Sequence, residues 1–244
     1  MDADVTKTSS PYDYQPLDPS QKQIRLLSLM PHHFIRAPII GTLSVVSLLD
    51  QPDYDALSYV WGSLLSWRGL EVDRSRILIG QNLETALRHL RLPDRSRTLW
   101  IDAVCINQSD SIEKSHQVRL MRDVYSHATT VRAWLDRSVD TSAEVFNHLA
   151  MMSDASNNGT DIDWLPVTNV FRDPYWTRLW IQQEVILAKN LVLHFRNDSL
   201  DIGLLLTFTQ LMATAFKARK ASQLDLIRLE KHLALESDRR LYSG

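Results

Sequence analysis

The sequence predicts an α/β domain: a mainly parallel sheet flanked by helices, extended by β structure at its N-terminal end and carrying a helical insertion. Two patterns and the composition point there. Strand-like and helix-like stretches alternate through 54–135, an order that pairs strands in parallel through right-handed crossovers. Within it, LWIDAVCI at 99–106 is apolar on both faces except at Asp102, as a strand buried between two helical layers must be. At 244 residues, 44% hydrophobic and 23% charged, the chain is long enough to bury a sizeable core and ordinary for a globular protein.

In chain order, 1–22 sets Pro11, Pro16 and Pro19 among serines and aspartates and reads as a loosely ordered lead-in. The stretches 24–30 and 39–49 are rich in Ile, Leu and Val and broken by Pro31, Pro38 and Gly41, which gives two strands. YDALSYVWG at 54–62 is a central strand ending in aromatic residues and Gly62, where the backbone must turn. Residues 70–72 and 76–79 flank a turn at 73–75, a small hairpin that is an excursion from the core. Asn82 caps a helix whose Leu83, Ala86, Leu87 and Leu90 fall at i, i+3, i+4 and i+7. After the strand at 99–106, Asn107 and Gln108 open a loop. Residues 110–113 then start a helix in capping-box fashion, with Val118, Met121, Tyr125 and Ala128 on one side. TVRAWL at 130–135 is another strand, followed by a helix near 142–152 and a polar surface loop at 153–163. Residues 164–171 lead into a further helix, and 191–195 form the closing strand. From 204 the pattern is helical, with Lys217, Arg219 and Lys220 on a solvated face. The division expected is a lead-in at 1–22, a domain at 23–203, and a segment at 204–244. That last segment packs on the domain or leads to a region beyond it.

The stretch DPYWTRLWIQQEVILAKN, 173–190, organises the rest. Asp173 followed by Pro174 reads as an N-cap with proline in the first turn, so a helix of about four turns is expected. At about 100° per residue, Trp176, Leu179, Trp180, Gln183, Ile186 and Leu187 share an apolar face, while Arg178 and Gln182 lie opposite. Glu184 falls beside Trp180, flanked by Ile181 and Ala188. A carboxylate among apolar neighbours has a raised pKa and is readied for chemistry or for a specific cation. The alternative is a structural acid paired with an arginine on another element. The expectation to test is that Glu184 looks into a solvent-reachable hollow near the ends of the strands at 59–62 and 102–108, where ligands of open α/β sheets sit.

Several chemistries are excluded. Glycine-rich phosphate loops of the common types are missing, the eight histidines show no metal spacing, and one cysteine builds neither a zinc site nor a disulfide. Cys105 alternates with apolar residues and reads as an inert small hydrophobe. A net charge of −2 supplies no global field for nucleic acid. The first residues are polar and acidic rather than a signal peptide, and no apolar run reaches the length of a membrane span, so a cytosolic or nuclear protein is expected.

Three blocks, YDALSYVWG at 54–62, LWIDAVCINQ with EKSHQVRLMRDVYSHA at 99–128, and YWTRLWIQQEVILA at 175–188, resemble the heterokaryon incompatibility (HET) domain of filamentous fungi. IRLLSLMP at 24–31 and NLETALRHLR at 82–91 also fit, whereas Asp136 stands where the family commonly has glycine after Trp-Leu. The resemblance implies a cytoplasmic effector of non-self recognition that triggers programmed cell death. It also implies a truncated domain or short member, since such domains usually sit in longer proteins. The family is distantly similar to Toll-type (TIR) domains, which implies a flavodoxin-like fold. Residues 55–62 match the first TIR strand, and 107–116 the loop after the second. An insertion at roughly 136–171 separates the 173–190 helix from the strand before it. In TIR domains that cleave NAD, a tryptophan lies four residues before the catalytic glutamate, the spacing of Trp180 and Glu184.

By that resemblance Glu184 is the catalytic candidate, with NAD as substrate and no cofactor required. Tyr59, Trp61 and Trp180 would supply stacking surface, Arg178 a phosphate contact, and Gly62, Asp102, Asn107 and Gln108 the rim. Asp102 has a second reading, a hydrogen-bonding role toward a neighbouring loop. The implied partners are an activating non-self recognition protein or a second copy of the chain, with neither nucleic acid nor a membrane span. The alternative to an enzyme is a non-enzymatic death adaptor that acts by assembly.

Overall fold

The computed structural model describes residues 11–62, 66–135, 173–178, 181–196 and 198–203. Trp180 and the expected features at 142–152, 153–163, 164–171 and from 204 onward lie outside them. The elements are β1 (Gln23–Leu29), β2 (Ile40–Ser47), β3 (Asp55–Tyr59), β4 (Trp67–Val72), β5 (Ser75–Gly80), α1 (Gln81–Leu90), β6 (Arg97–Trp100), α2 (Asp102–Cys105), α3 (Ser111–His127), β7 (Thr130–Trp134), α4 (Ile181–Ile186), β8 (Leu191–Phe195) and β9 (Asp198–Asp201).

The described strands form one sheet in the order β5-β4-β2-β1-β6-β3-β7-β8-β9. Its centre, β6-β3-β7-β8, is parallel as expected. The flanks correct the expectation of a mainly parallel sheet, because β1 runs antiparallel to β2 and β6, β4 to β5, and β8 to β9, while β2 and β4 are parallel. The sheet is therefore mixed. Connection length explains the β4–β5 and β8–β9 hairpins, since a parallel return needs a crossover of a dozen or more residues. The β4–β5 link is only Asp73 and Arg74, both at positive φ (50° and 68°), the backbone of a tight I′-type hairpin turn. This hairpin is no excursion, for Leu70, Val72, Ile77 and Ile79 are buried and it extends the sheet.

Alternation splits the core into two layers. Ala56, Trp100, Val131, Ala133, Leu191 and Leu193 pack against Met121, Val124 and Tyr125 of α3. Leu27, Leu29, Leu57, Leu99 and Trp134 meet Leu83, Ala86, Leu87 and Leu90 of α1 on the other face. Each fully buried leucine contributes about 2 kcal/mol. Within 11–22, Tyr12 N donates to Arg76 O, Tyr14 Oη donates to Val104 O at 3.0 Å, and the Arg25 guanidinium stacks 4.9 Å from the Tyr14 ring centre.

Three local expectations are corrected. First, Asn82 does not cap α1, whose N-cap is Gly80, two residues earlier. Asn82 is buried, donating to Val60 O at 2.6 Å and accepting from Trp134 Nε1 at 2.9 Å. Second, the strand expected at 99–106 stops at Trp100, and the chain coils through α2. Ile101 and Val104 feed one core layer while Cys105 and Ile106 feed the other, and periodicity alone does not separate a short buried helix from a buried strand. Third, the stretch at 173–190 is not one helix. Asp173 caps only a 3-10 turn, Pro174–Thr177; Arg178 is extended (φ −73°, ψ 136°), and α4 follows. A helix also starts at Ser111, where Asp110 accepts from Ile112 N and Glu113 N as predicted. Glu113 does not return to the cap; its carboxylate accepts from Arg25, 1% exposed, at 2.7 and 2.9 Å and from Asn107 N at 2.8 Å.

Candidate functional site

β3 delivers the centre of the site. Its alternation turns Ala56 and Ser58 toward the α3 layer and Leu57 and Tyr59 toward the α1 layer. Ser58 is thus a hydroxyl in a dry place, and it is fully employed. It donates to Glu184 Oε2 in a short hydrogen bond and shares a 2.6 Å hydrogen bond with Tyr175 Oη. Arg178 completes the node, its Nη1 standing 3.3 Å from Glu184 Oε2 and its Nη2 3.4 Å from Oε1.

The break at Arg178 is what makes this node. In a continuous helix, residues 175 and 184 would project about 180° apart, and 178 and 184 about 120° apart. Tyr175 and Glu184 meet the same serine only because the chain unwinds between them. That unwinding also brings Arg178, expected on the opposite face, inward onto the acid.

Glu184 is 1% exposed, so the carboxyl is enclosed rather than open to solvent, whereas the Arg178 side chain is 22% exposed. Burial raises the acid above the usual carboxylate range; Arg178 and the Ser58 hydrogen bond pull the other way, and Asp102 adds to the rise. The guanidinium contacts are longer than the 2.7–2.9 Å or so of a tight charge-assisted bond. The lid on the acid is a loose one.

A second node lies at the ends of β3 and β6. Trp61 Nε1 donates to Asp102 Oδ2 at 2.8 Å, Ala103 N donates to Oδ1 at 2.7 Å, and Gln108 Nε2 donates to Asp102 O at 2.8 Å. Burial raises Asp102 as well, against the Trp61 and Ala103 hydrogen bonds and Arg178. Asp102 therefore fills the hydrogen-bonding role toward a neighbouring loop and also feels the Glu184 node. Tyr59 is buried, its phenol pushed up by burial, with Asp102 and Glu184 adding to the rise and Arg178 opposing it. Gly62 has φ +72°, a left-handed turn that suits glycine. Asn107 serves its own loop, accepting from Ser109 N at 3.1 Å.

Thus Tyr59, Trp61, Asp102, Gln108, Arg178 and Glu184, named from three separate blocks, share one end of the sheet. Asn107 turns to local structure, and Trp180 is outside the described residues. Ser58 and Tyr175 were not anticipated, although a hydroxyl inside the apolar run DALSY was the available signal. Among the described residues no group of three or more His, Cys, Asp and Glu is placed to hold a metal, and no helix is long and apolar enough to cross a membrane.

The family model described as heterokaryon incompatibility protein (HET) matches residues 54–184, just over half of the chain. The chain is 36% identical over 180 residues to heterokaryon incompatibility protein 6, OR allele, of Neurospora crassa. That similarity covers 66% of this chain and 26% of the relative, so the chain spans about a quarter of the length of the curated relative it matches. No solved structure matches it.

Proposed function

The chain belongs to the heterokaryon incompatibility family, and from that premise we propose that it is a cytoplasmic effector domain of fungal non-self recognition that triggers programmed cell death. The matched relative carries incompatibility in its name. An activating recognition protein or a second copy of the chain is the partner. A TIR-like, flavodoxin-like reading is supported by the parallel centre β6-β3-β7-β8 with α1 and α3 on opposite faces.

The observation that carries the mechanism is the loosely lidded acid. Cleavage of NAD between nicotinamide and ribose develops positive charge on the sugar, which an adjacent carboxylate stabilises. Glu184 has the surroundings for that task, with Arg178, Asp102 and Tyr59 near it and Trp61 held on Asp102, at the end of the sheet where α/β ligands bind. In this conformation Arg178 occupies the place a sugar cation would take, so the described state is a resting one. The partly exposed guanidinium swings to a phosphate of the substrate and uncovers the acid. The enclosure of Glu184 at 1% exposure supports a second reading, in which the node is a structural clasp and the domain kills by assembly alone.

Nicotinamide release from NAD by the purified chain, free and clustered on a fused oligomerising tag, separates the two. The enzyme reading expects release by the clustered protein and its loss in Glu184→Gln with the fold intact. Toxic clustered protein that leaves NAD untouched decides for the adaptor.

A further inference from the structure

The candidate site uses the carboxyl ends of β3 and β6; the amino-terminal ends carry another polar cluster that it leaves unused. Asp55 opens β3, Arg97 opens β6, Arg132 stands third in β7, and His194 fourth in β8. Strand register puts all four on the α1 face. Asp55 aligns with Leu99, Leu57 with Arg132, and Trp134 with His194, and Leu57, Leu99 and Trp134 all belong to the α1 layer. Asp55 lies about 13 Å along β3 from Tyr59, and although His194 is level with Tyr59 through Trp134, Glu184 bonds Ser58 on the α3 face, so the sheet separates this cluster from the Glu184 node.

Its wiring is unbalanced. Arg132 Nε donates to Asp55 Oδ2 at 2.6 Å, and Arg97 Nη1 stands 3.5 Å from the same oxygen. Arg132 Nη1 lies 3.2 Å from His194 Nε2. A guanidinium only donates, so that ring nitrogen accepts and the imidazole proton sits on Nδ1. Burial, with both arginines adding, holds His194 down at about 3, so it is neutral. Two guanidinium groups then share one carboxylate, which leaves one positive charge in excess. Burial and Arg132 pull Arg97 down to about 10, far above neutral pH, so its charge persists. Arg97 Nε and Nη1 are buried without a hydrogen-bond acceptor. Buried donors in native proteins are nearly always paired, and orphans are filled by water, an ion or a ligand.

We infer that Arg97, with Arg132 beside it and Asp55 fixing both, forms a binding site for the phosphate group of a small anionic ligand. Asp55 already offers a carboxylate and leaves these donors unfilled. Nε and Nη1 of Arg97 sit on opposite edges of the guanidinium, and a phosphate group, with more acceptor oxygens and more negative charge than a second carboxylate, answers the excess positive charge at either edge. The site stands whether or not the domain cleaves NAD.

Inorganic phosphate is the probe, acting on the full chain. Thermal unfolding is compared in sodium phosphate, sodium acetate and sodium chloride at equal ionic strength and pH. The expected result is a melting temperature raised by about 4 °C in phosphate at ten times its Kd, and no such rise in Arg97→Met. In parallel, the Arg97 Nε–H resonance of the wild type shifts saturably as phosphate is added, a readout that needs no variant. Equal melting temperatures in the three salts, an equal rise in acetate, a phosphate effect that survives Arg97→Met, or an unmoved Arg97 resonance would each overturn the assignment.

Discussion

Removing the guanidinium from over Glu184 is the sharpest perturbation available, because the acid is enclosed and the base is not. In Arg178→Ala the carboxyl keeps Ser58 but loses its cation. At neutral pH the stranded group has one way out, which is to take a proton. An acid that titrates near pH 4.3 in the unfolded chain costs about 1.36 kcal/mol per pH unit above that point to keep protonated. The ceiling is therefore about 3.7 kcal/mol at pH 7 and about 1 kcal/mol at pH 5. The first value sits within the range of about 3–5 kcal/mol for breaking one side of a buried pair. Burial already holds Glu184 above its usual range in the intact pair, so the measured losses fall below these ceilings. The sign follows from proton binding. The folded variant keeps a proton that the unfolded chain releases above about pH 4.3, so its stability drops as pH rises toward the folded-state pKa. Urea unfolding at pH 5, 6 and 7 measures it. Arg178→Ala should lose most at pH 7 and least at pH 5, and adding Glu184→Gln should recover most of the loss. A deficit that does not change with pH, or a double variant no better than the single, refutes the assignment of Arg178 as the partner that keeps this acid ionised.

Other consequences are quicker to check. Glu113→Ala strands the buried Arg25 guanidinium and frees Asn107 N, and should cost about 3–5 kcal/mol by denaturant midpoint, with an Arg25→Met, Glu113→Leu pair recovering much of it. Asn82→Ala leaves Val60 O and Trp134 Nε1 unpaired, a loss of about 2 kcal/mol or more. Cys105 is buried and its thiol is pushed up to about 12 by burial. Ellman's reagent should leave it unreacted in the native protein and titrate it only after denaturation.

What the sequence made legible follows from which physical signals are local. The central strands were readable because β-branched and aromatic runs bounded by turn residues have few other uses, and α1 because four apolar residues repeat at helical spacing. The direction of the flanking strands was hidden: chain order alone does not show that β1 returns antiparallel beside β6. The break at Arg178 was hidden for a different reason. Every local preference in 173–190 permits a helix, and the chain unwinds only because Tyr175 and Glu184 must both reach Ser58, more than a hundred residues away. Asn82 shows the same lesson on a smaller scale, taken from an expected cap by two orphaned polar groups of β7 and the β3 end. Tertiary demand overrode propensity wherever a buried polar atom needed a partner.

The same demand bears on what an active state would look like. Asp102 raises the proton affinity of Glu184, and burial raises both acids. Arg178 opposes both rises, so its departure leaves two acids in one apolar neighbourhood with less positive charge to hold them ionised. A neutral ligand does not repair that deficit. A cation does, and so does a reacting sugar that becomes positive only as its bond to nicotinamide breaks. An acid freed in this way binds the charge-developed state more tightly than the starting sugar, which is the difference that lowers a barrier rather than merely holding substrate. The adaptor reading needs no such exchange, since a clasp that never opens keeps Arg178 where it is. Whether the guanidinium leaves the acid on activation is therefore the structural question on which the two readings divide.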